Sequence, residues 1–417
     1  MSRYKIEGGH KLHGNISVHG AKNAALPILA ATVINNGKSV IHNCPDLSDI
    51  KSTIEILEIL GCRVSVENND VVVDSSTLSL CDIPSCVMSK TRSSTVFAGA
   101  LAARCKKAYI AGSGGCQIGS RPIDIHLEAF KAMGMEISQT GDAVVCKANK
   151  VKPCIVCLKF PSVGATENVM LASSLTPGKT TIINAAMEPE IINLAQYLKS
   201  VGVKVYGEGT DKITITGTNN PTDGEVTIIP DRIVASTYMI ASLITKGNVA
   251  IENVCASHFS PVIAVLRKMG ACIQTLQNRV CVQYGDELKN IPYLATAPYP
   301  GFPTDAQPLL VSLMCLSRGL GIVKESIFEN RLGHCLSLNS MGANIEIKGR
   351  YALVNGVESL NAASVFGSDL RCGAALCLAA LSAEGVSYVS GIEYIDRGYE
   401  NLCRDLKSLG ARIERIE

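Results

Sequence analysis

The sequence predicts an α/β protein of two domains, assembled from six versions of one unit. First, a helical pattern closes six times on a Leu-Gly, Met-Gly or Val-Gly pair: Leu60-Gly61, Met133-Gly134, Val201-Gly202, Met269-Gly270, Met341-Gly342 and Leu409-Gly410. The spacing is about 70 residues, longer than a solenoid repeat and enough for a compact supersecondary unit. Second, short apolar strand patterns alternate with helices around those pairs, the mark of an α/β domain. Third, 417 residues exceed what a single core serves, so the chain divides in two.

Each unit opens with a Gly-containing turn into a strand, as at Ser39-Val40-Ile41, Thr181-Ile182-Ile183, Val249-Ala250-Ile251 and Tyr388-Val389-Ser390. A helix follows and closes on the pair, where glycine fits a C-cap. A second helix, rich in small residues, completes the unit: Asn23 to Val33, Arg92 to Ala103, Ala165 to Leu175, Arg232 to Ile244, Asp305 to Leu316 and Leu370 to Leu381. Small side chains let these helices pack closely in the interior.

Their polar residues gather at the N-terminal ends: Lys22-Asn23, Thr91-Arg92, Thr166-Glu167-Asn168, Asp231-Arg232, Thr304-Asp305 and Asp369-Leu370-Arg371. Capping accounts for Thr and Asp. A cation at that end is mildly unfavourable unless an anion sits with it. Lys22, Arg92 and Arg371 therefore point to a cleft where helix N-termini converge on an anionic ligand.

One stretch, Gly112 to Leu127, gathers flexibility, a thiol, a guanidinium and a helix start. Gly112, Gly114, Gly115 and Gly119 permit a mobile backbone or a close approach to a ligand. Arg121 offers a planar fork for phosphate or carboxylate, and Pro122 with Asp124 suits a first helical turn. A cation beside Cys116 lowers the thiol's pKa and makes it reactive. The alternative is a small buried hydrophobe, the usual state of cysteine. Phe302-Pro303-Thr304-Asp305, Glu329-Asn330-Arg331 and Asp396-Arg397-Gly398-Tyr399 carry further polar groups, each a weak signal alone, since an Asp-Arg neighbour pair is usually a solvated surface feature. The residues alone reach a phosphate-binding α/β enzyme with a reactive thiol.

Composition narrows the partners. Apolar residues make 47%, charged residues 18%, tryptophan is absent, and the net charge of +2 provides no basic field for nucleic acid. Bound anions must be met by local cations. Neither a signal-peptide h-region nor an uncharged apolar run of about 18 residues occurs, so no membrane contact and a cytoplasmic location are expected. The 17 cysteines form no regular framework, which fits a reducing compartment and argues against structural disulfides. Cys154-Ile155-Val156-Cys157 lacks a second ligand pair, so zinc is not expected.

Several long motifs, in order along nearly the whole chain, resemble the UDP-N-acetylglucosamine 1-carboxyvinyltransferase family of enolpyruvyl transferases. They are Gly20-Ala21-Lys22-Asn23-Ala24-Ala25-Leu26-Pro27, Gly114-Gly115-Cys116-Gln117-Ile118-Gly119-Ser120-Arg121-Pro122, Phe302-Pro303-Thr304-Asp305, Phe328-Glu329-Asn330-Arg331 and Asp396-Arg397-Gly398-Tyr399-Glu400. The resemblance implies two inside-out α/β barrels of three units each, with helices inside and sheets outside. Residues 22–229 would form the domain with the thiol loop; 1–21 and 230–417 would form a discontinuous second one, with the active site in the cleft between.

The implied reaction transfers the enolpyruvyl group of phosphoenolpyruvate to the sugar 3-hydroxyl of UDP-N-acetylglucosamine, with release of phosphate, by addition then elimination. In the family, the position of Cys116 protonates C3 and can hold phosphoenolpyruvate covalently, while that of Asp305 takes the hydroxyl proton. Lys22, Arg121 and Arg397 match the cations around phosphoenolpyruvate. Asn23, Asp305 and Arg331 match residues at the sugar, and Arg92 a contact near the nucleotide phosphates. Arg121, Pro122, Asp124 and Ile125 match the strip for the nucleotide, completed by Ser162, Val163, Gly164 and Ile327. No metal, cofactor or obligate protein partner is implied.

Three departures stand out: Ser113 where many members have proline, Phe160-Pro161 where some carry lysine and valine, and Thr91 before Arg92 in place of methionine. A sister enzyme acting on shikimate 3-phosphate shares the fold but lacks the thiol loop and the uracil strip. An idle paralogue kept as a binding or regulatory scaffold is the other alternative, against which Lys22, Cys116, Asp305, Arg331 and Arg397 all stand.

Overall fold

The computed structural model describes residues 2–83, 93–111, 123–140 and 143–417. These fall into two compact units: one holds Pro230–Glu417 together with the chain up to His19, and the other holds the described part of 20–229.

Among the described residues there are six sheets, three per unit, five of four strands and one of three. Their plan repeats. In Lys179–Ile183, Ile182 pairs with Ile213 of Lys212–Thr216 in antiparallel register, and with Val156 of Ile155–Cys157 in parallel. Parallel edge strands likewise flank Lys38–His42, Asn248–Glu252, Leu320–Lys324 and Val386–Ser390. Alternate residues face the interior, so Thr180 and Ile182 are buried while Lys179 is exposed.

The last sheet is closed by the beginning of the chain. Strand Arg3–Glu7 lies between Val386–Ser390 and Arg412–Ile416, antiparallel to both. In the same unit, His13–Ser17 adds in parallel to Asn248–Glu252.

Both predicted kinds of helix are present. The one-sided helices Ser48–Ile59, Asp124–Ala132, Pro189–Ser200, Ser260–Met269, His334–Ser340 and Leu402–Ser408 run into the six Xaa-Gly pairs. Gly61, Gly134, Gly202, Gly270, Gly342 and Gly410 all have φ between 87 and 109°. Only glycine takes that backbone without steric cost, which is why the pairs were legible. The second kind, Lys22–Ala31, Ser93–Cys105, Val163–Ser173, Arg232–Ile244, Gln307–Met314 and Leu370–Ser382, are the interior helices. Ile233 to Ile244 and Arg371 to Leu381 are buried without a break. A helix apolar on all sides belongs inside, with sheets around it.

Two expectations change. The fifth interior helix begins at Gln307 rather than Asp305, because Pro303 to Ala306 form a turn closed by Ala306 N–H to Pro303 O at 3.1 Å. Cys81 and Cys105 form a disulfide, contrary to the reading of the cysteines as uniformly reduced. Packing of the Ser93–Cys105 helix brings their Cα atoms to 5.9 Å, within the usual range for a bridge. Composition cannot say which cysteines the fold makes neighbours. Among the described residues, no helix is long and apolar enough to cross a membrane.

Candidate active site

The expected site residues are carried by both units. Cys116, Arg121, Pro122 and Arg92 lie outside the described residues.

In the unit of 230–417, the centre is Asp305. Its Oδ1 accepts from Arg331 Nη2 at 2.6 Å and its Oδ2 from Arg371 Nη2 at 2.9 Å. Both arginines are 4% exposed, whereas the Asp305 side chain is 28% exposed. The carboxylate is therefore gripped from the protein side by two donors and reaches solvent. Arg331 Nη1 also lies 3.7 Å from Asp369 Oδ1, and Asp369 caps its helix by accepting from Arg371 N–H and Cys372 N–H. Burial opposes the Arg371 charge, but Asp305, Tyr399 and Asp231 outweigh it and raise the guanidinium's pKa.

This revises the reading of Arg371. Its position at a helix N-terminus suggested an anionic ligand, and the anion beside it is the carboxylate of Asp305, 66 residues away in sequence. Lys22, the first residue of its helix, also has a carboxylate beside it, its Nζ lying 3.2 Å from Asp49 Oδ2. Protein carboxylates supply the counter-charges that helix dipoles do not.

Glu325 is a residue that the motifs missed. It is 1% exposed, and its Oε1 accepts from Thr296 Oγ1 (2.9 Å), Ile327 N–H (2.8 Å) and Phe328 N–H (3.1 Å). Its Oε2 accepts from Thr304 Oγ1 at 3.0 Å. A buried carboxylate so satisfied ties the turn before Asp305 to the loop carrying Ile327. The signal was present: Gly321 and Val323 point inward along strand Leu320–Lys324, so alternation sends Glu325 inward too.

Arg397, partly exposed, follows the short helix Ile392–Ile395. Asp396 turns away to a two-pronged pair with Arg415 at 3.1 and 2.9 Å, and the buried Tyr399 hydroxyl meets Thr237 Oγ1 at 2.7 Å. Its neighbours are thus anchored on both sides.

His334 fixes the other face of Arg331. Its Nδ1 is 3.0 Å from the Arg331 carbonyl, which can only accept, so the ring carries its proton there. Burial pushes its pKa down to about 4. The unfolded ring takes up a proton near pH 6.5. Stability is therefore full above that pH and falls between about 6.5 and about 4, by roughly 3 kcal/mol. Urea titrations across that range should show the loss, and His334→Gln should make it shallower; an unchanged slope in the variant would assign the acid limb elsewhere.

In the unit of 20–229, Gly20 precedes Lys22 and Asn23 because a Cβ there would lie 1.9 Å from the Asn43 carbonyl. Ala21 N–H then bonds to Ile229 O at 2.7 Å, which sets the start of the Lys22–Ala31 helix. Asp124 and Ile125 open the Asp124–Ala132 helix, Asp124 exposed. Ser162 caps the next interior helix, accepting from Ala165 N–H, and Val163 and Gly164 form its first turn. Lys159 pairs with Glu128 at 2.6 Å on the surface. Nearby, Glu167 is buried; burial, then Glu190 and Glu188, raise its pKa well above the carboxylate range. Among the described residues no group of three or more His, Cys, Asp or Glu side chains is arranged to hold a metal.

The fold is that of the enolpyruvyl transferases. It is similar to the enolpyruvyl transferase NikO from Streptomyces tendae, with a TM-score of 0.89 at 23% identity over 99% of this chain and 98% of that one. It is also similar to the EPSP synthase from Acinetobacter baumannii, with a TM-score of 0.77 at 17% identity over the whole of both chains. The profile of the family described as EPSP synthase (3-phosphoshikimate 1-carboxyvinyltransferase) matches residues 6–406. Within this class, two relatives covered over their whole length are named more narrowly. UDP-N-acetylglucosamine 1-carboxyvinyltransferase 2 of Caldanaerobacter subterraneus subsp. tengcongensis is 47% identical over 100% of both chains, and the UDP-N-acetylglucosamine 1-carboxyvinyltransferase of Halothermothrix orenii 43%. The chain belongs to the UDP-N-acetylglucosamine 1-carboxyvinyltransferase family.

Proposed function

We propose that the chain transfers the enolpyruvyl group of phosphoenolpyruvate to the 3-hydroxyl of UDP-N-acetylglucosamine, releasing phosphate, as the opening step of peptidoglycan precursor synthesis in the cytoplasm. The observation that carries this is Asp305, a carboxylate open to solvent and aimed by two buried arginines. The names of relatives 41–47% identical over essentially their whole length support the choice of acceptor.

Asp305 takes the proton of the sugar hydroxyl as its oxygen adds to C2 of phosphoenolpyruvate, and Cys116 delivers a proton to C3. The tetrahedral phosphoketal then loses a proton from C3, its C2–O bond to phosphate breaks, and the double bond is restored. Lys22, Arg121 and Arg397 hold the anionic phosphoenolpyruvate, since net charge supplies no field for it. Asn23 and Arg331 serve the sugar. Arg92, Arg121, Pro122, Asp124, Ile125, Ser162, Val163, Gly164 and Ile327 receive the nucleotide. Guanidinium groups and helix N-termini do the electrostatic work, and the substrates are the only partners the reaction calls for.

Phosphate release from phosphoenolpyruvate should occur with UDP-N-acetylglucosamine, not with shikimate 3-phosphate, and should be lost in Cys116→Ser. Release with shikimate 3-phosphate alone, or with neither acceptor, overturns the reading. Fosfomycin, an epoxide open to thiolate attack, should inactivate the enzyme by alkylating Cys116, seen as a mass increase on that residue; full activity with unmodified Cys116 after prolonged exposure counts against a presented thiol.

A further inference from the structure

One buried amide ties together the first turns of three helices in the unit of 20–229. Asn168, in Val163–Ser173, accepts Gly99 N–H on its Oδ1 at 2.6 Å. Its Nδ2 faces the Thr95 carbonyl at 2.9 Å, the Gly164 carbonyl at 3.2 Å and His126 Nδ1 at 3.0 Å. Gly99 N–H can only donate, so the amide oxygen must point to it and the NH2 group to the other three. His126 Nδ1 must then accept, which makes the ring neutral with its proton on Nε2. Burial favours that form by pushing the ring's pKa down to about 4, with Asp124 pulling weakly the other way.

Thr95, His126 and Gly164 each sit in the first turn of their helix: Ser93–Cys105, Asp124–Ala132 and Val163–Ser173. The contacts are close. A Cβ on Gly164 would lie 3.0 Å from His126 Cε1 and 3.3 Å from Nε2, and one on Gly99 would lie 2.4 Å from the Asn168 carbonyl oxygen. Glycine at both positions lets the helices close on the ring and the amide. His126, itself half-buried, lies three and four residues before the buried Ala129 and Phe130, on the same helical face, so one side of the ring faces the core.

We propose that His126 and Asn168 are positioning residues for the sugar nucleotide, holding the first turns of two helices in the register that presents Asp124, Ile125, Ser162, Val163 and Gly164 to its uridine part. This rests on the function proposed above. The residues assigned to the uridine lie immediately before His126 and on either side of the Val163 helix start, so the pair fixes their separation without touching the substrate. A site of this kind needs its groups held to about 0.5 Å, which a rigid second layer provides.

The test is steady-state phosphate release, with KM measured separately for UDP-N-acetylglucosamine and phosphoenolpyruvate. His126→Phe keeps a ring but offers no acceptor, and His126→Gln offers one. His126→Phe should raise the KM for the sugar nucleotide about tenfold or more, leave the KM for phosphoenolpyruvate within about twofold, and be largely rescued by His126→Gln. Should His126→Phe not fold, Asn168→Asp reads the same split, because an aspartate still accepts Gly99 N–H but cannot donate to the ring. Folded variants whose sugar-nucleotide KM is unmoved, or in which both KM values rise together with a fall in melting temperature, overturn the positioning role. A wild-type chain that releases no phosphate from the substrate pair overturns the functional reading and this role with it; an active wild type with unmoved variants overturns this role alone.

Discussion

Asp305→Asn is expected to lower phosphate release by about 10²–10⁴ while leaving most of the fold intact, because it removes the proton acceptor but keeps an oxygen for one arginine. Asp305→Ala should match it in activity and go further in stability. Arg331 and Arg371 would then lie almost fully buried without the carboxylate that pairs with both, left with the less direct charges of Asp369 and Asp231. Removing one partner of a buried pair costs about 3–5 kcal/mol, and the partial exposure of Asp305 puts this case near the lower figure. Urea denaturation would separate the two variants, and phosphate release would equate them. Activity of Asp305→Asn within about tenfold of wild type would remove Asp305 from the role of base.

The second large effect is at Lys22. Lys22→Ala should lower turnover by about 10²–10³, the usual cost of deleting one preorganised donor at a developing charge, with the KM for phosphoenolpyruvate raised. The pairing with Asp49 makes a control necessary, since the same substitution also removes a cation beside a carboxylate that is 11% exposed. Asp49→Asn leaves Lys22 its charge and should cost far less activity. If Asp49→Asn is as damaging as Lys22→Ala, the lysine acts through the pair and not on substrate. Lys22→Arg would retain charge but not the compact point-charge geometry, and should fall between.

How much was legible depended on what each residue's role required. The six C-cap glycines could be read because a left-handed backbone at φ near 90° selects one residue type. The interior helices could be read because a helix buried on every side cannot hide its composition: Arg232–Ile244 was placed to the residue. Arg371 was found but its counter-ion was not, because helix position reveals that an anion is needed and says nothing of whether it comes from a substrate or from a carboxylate on another helix. Glu325 was overlooked because its importance lies in the groups that converge on it, Thr296, Thr304, Ile327 and Phe328, which are scattered along the chain. His126 was in view from the start within the glycine-rich stretch, yet its link to Asn168 is a product of helix packing. The Cys81–Cys105 bridge had no sequence signature at all.

Strand Arg3–Glu7, wedged between Val386–Ser390 and Arg412–Ile416, bears on how the molecule is made. On the ribosome, residues 20–229 are all available early and can collapse into their own unit as they emerge. The first strand has no such option. Both its neighbours follow residues 20–229 in the chain, so it stays unpaired until they are made, with open ladder groups on both edges. The two charges at its ends, Arg3 and Glu7, are the kind of residue that discourages an exposed strand from pairing with another chain in the meantime. Closure of that sheet therefore waits on strands made long after the first one, and the unit that holds it is completed after the unit of 20–229.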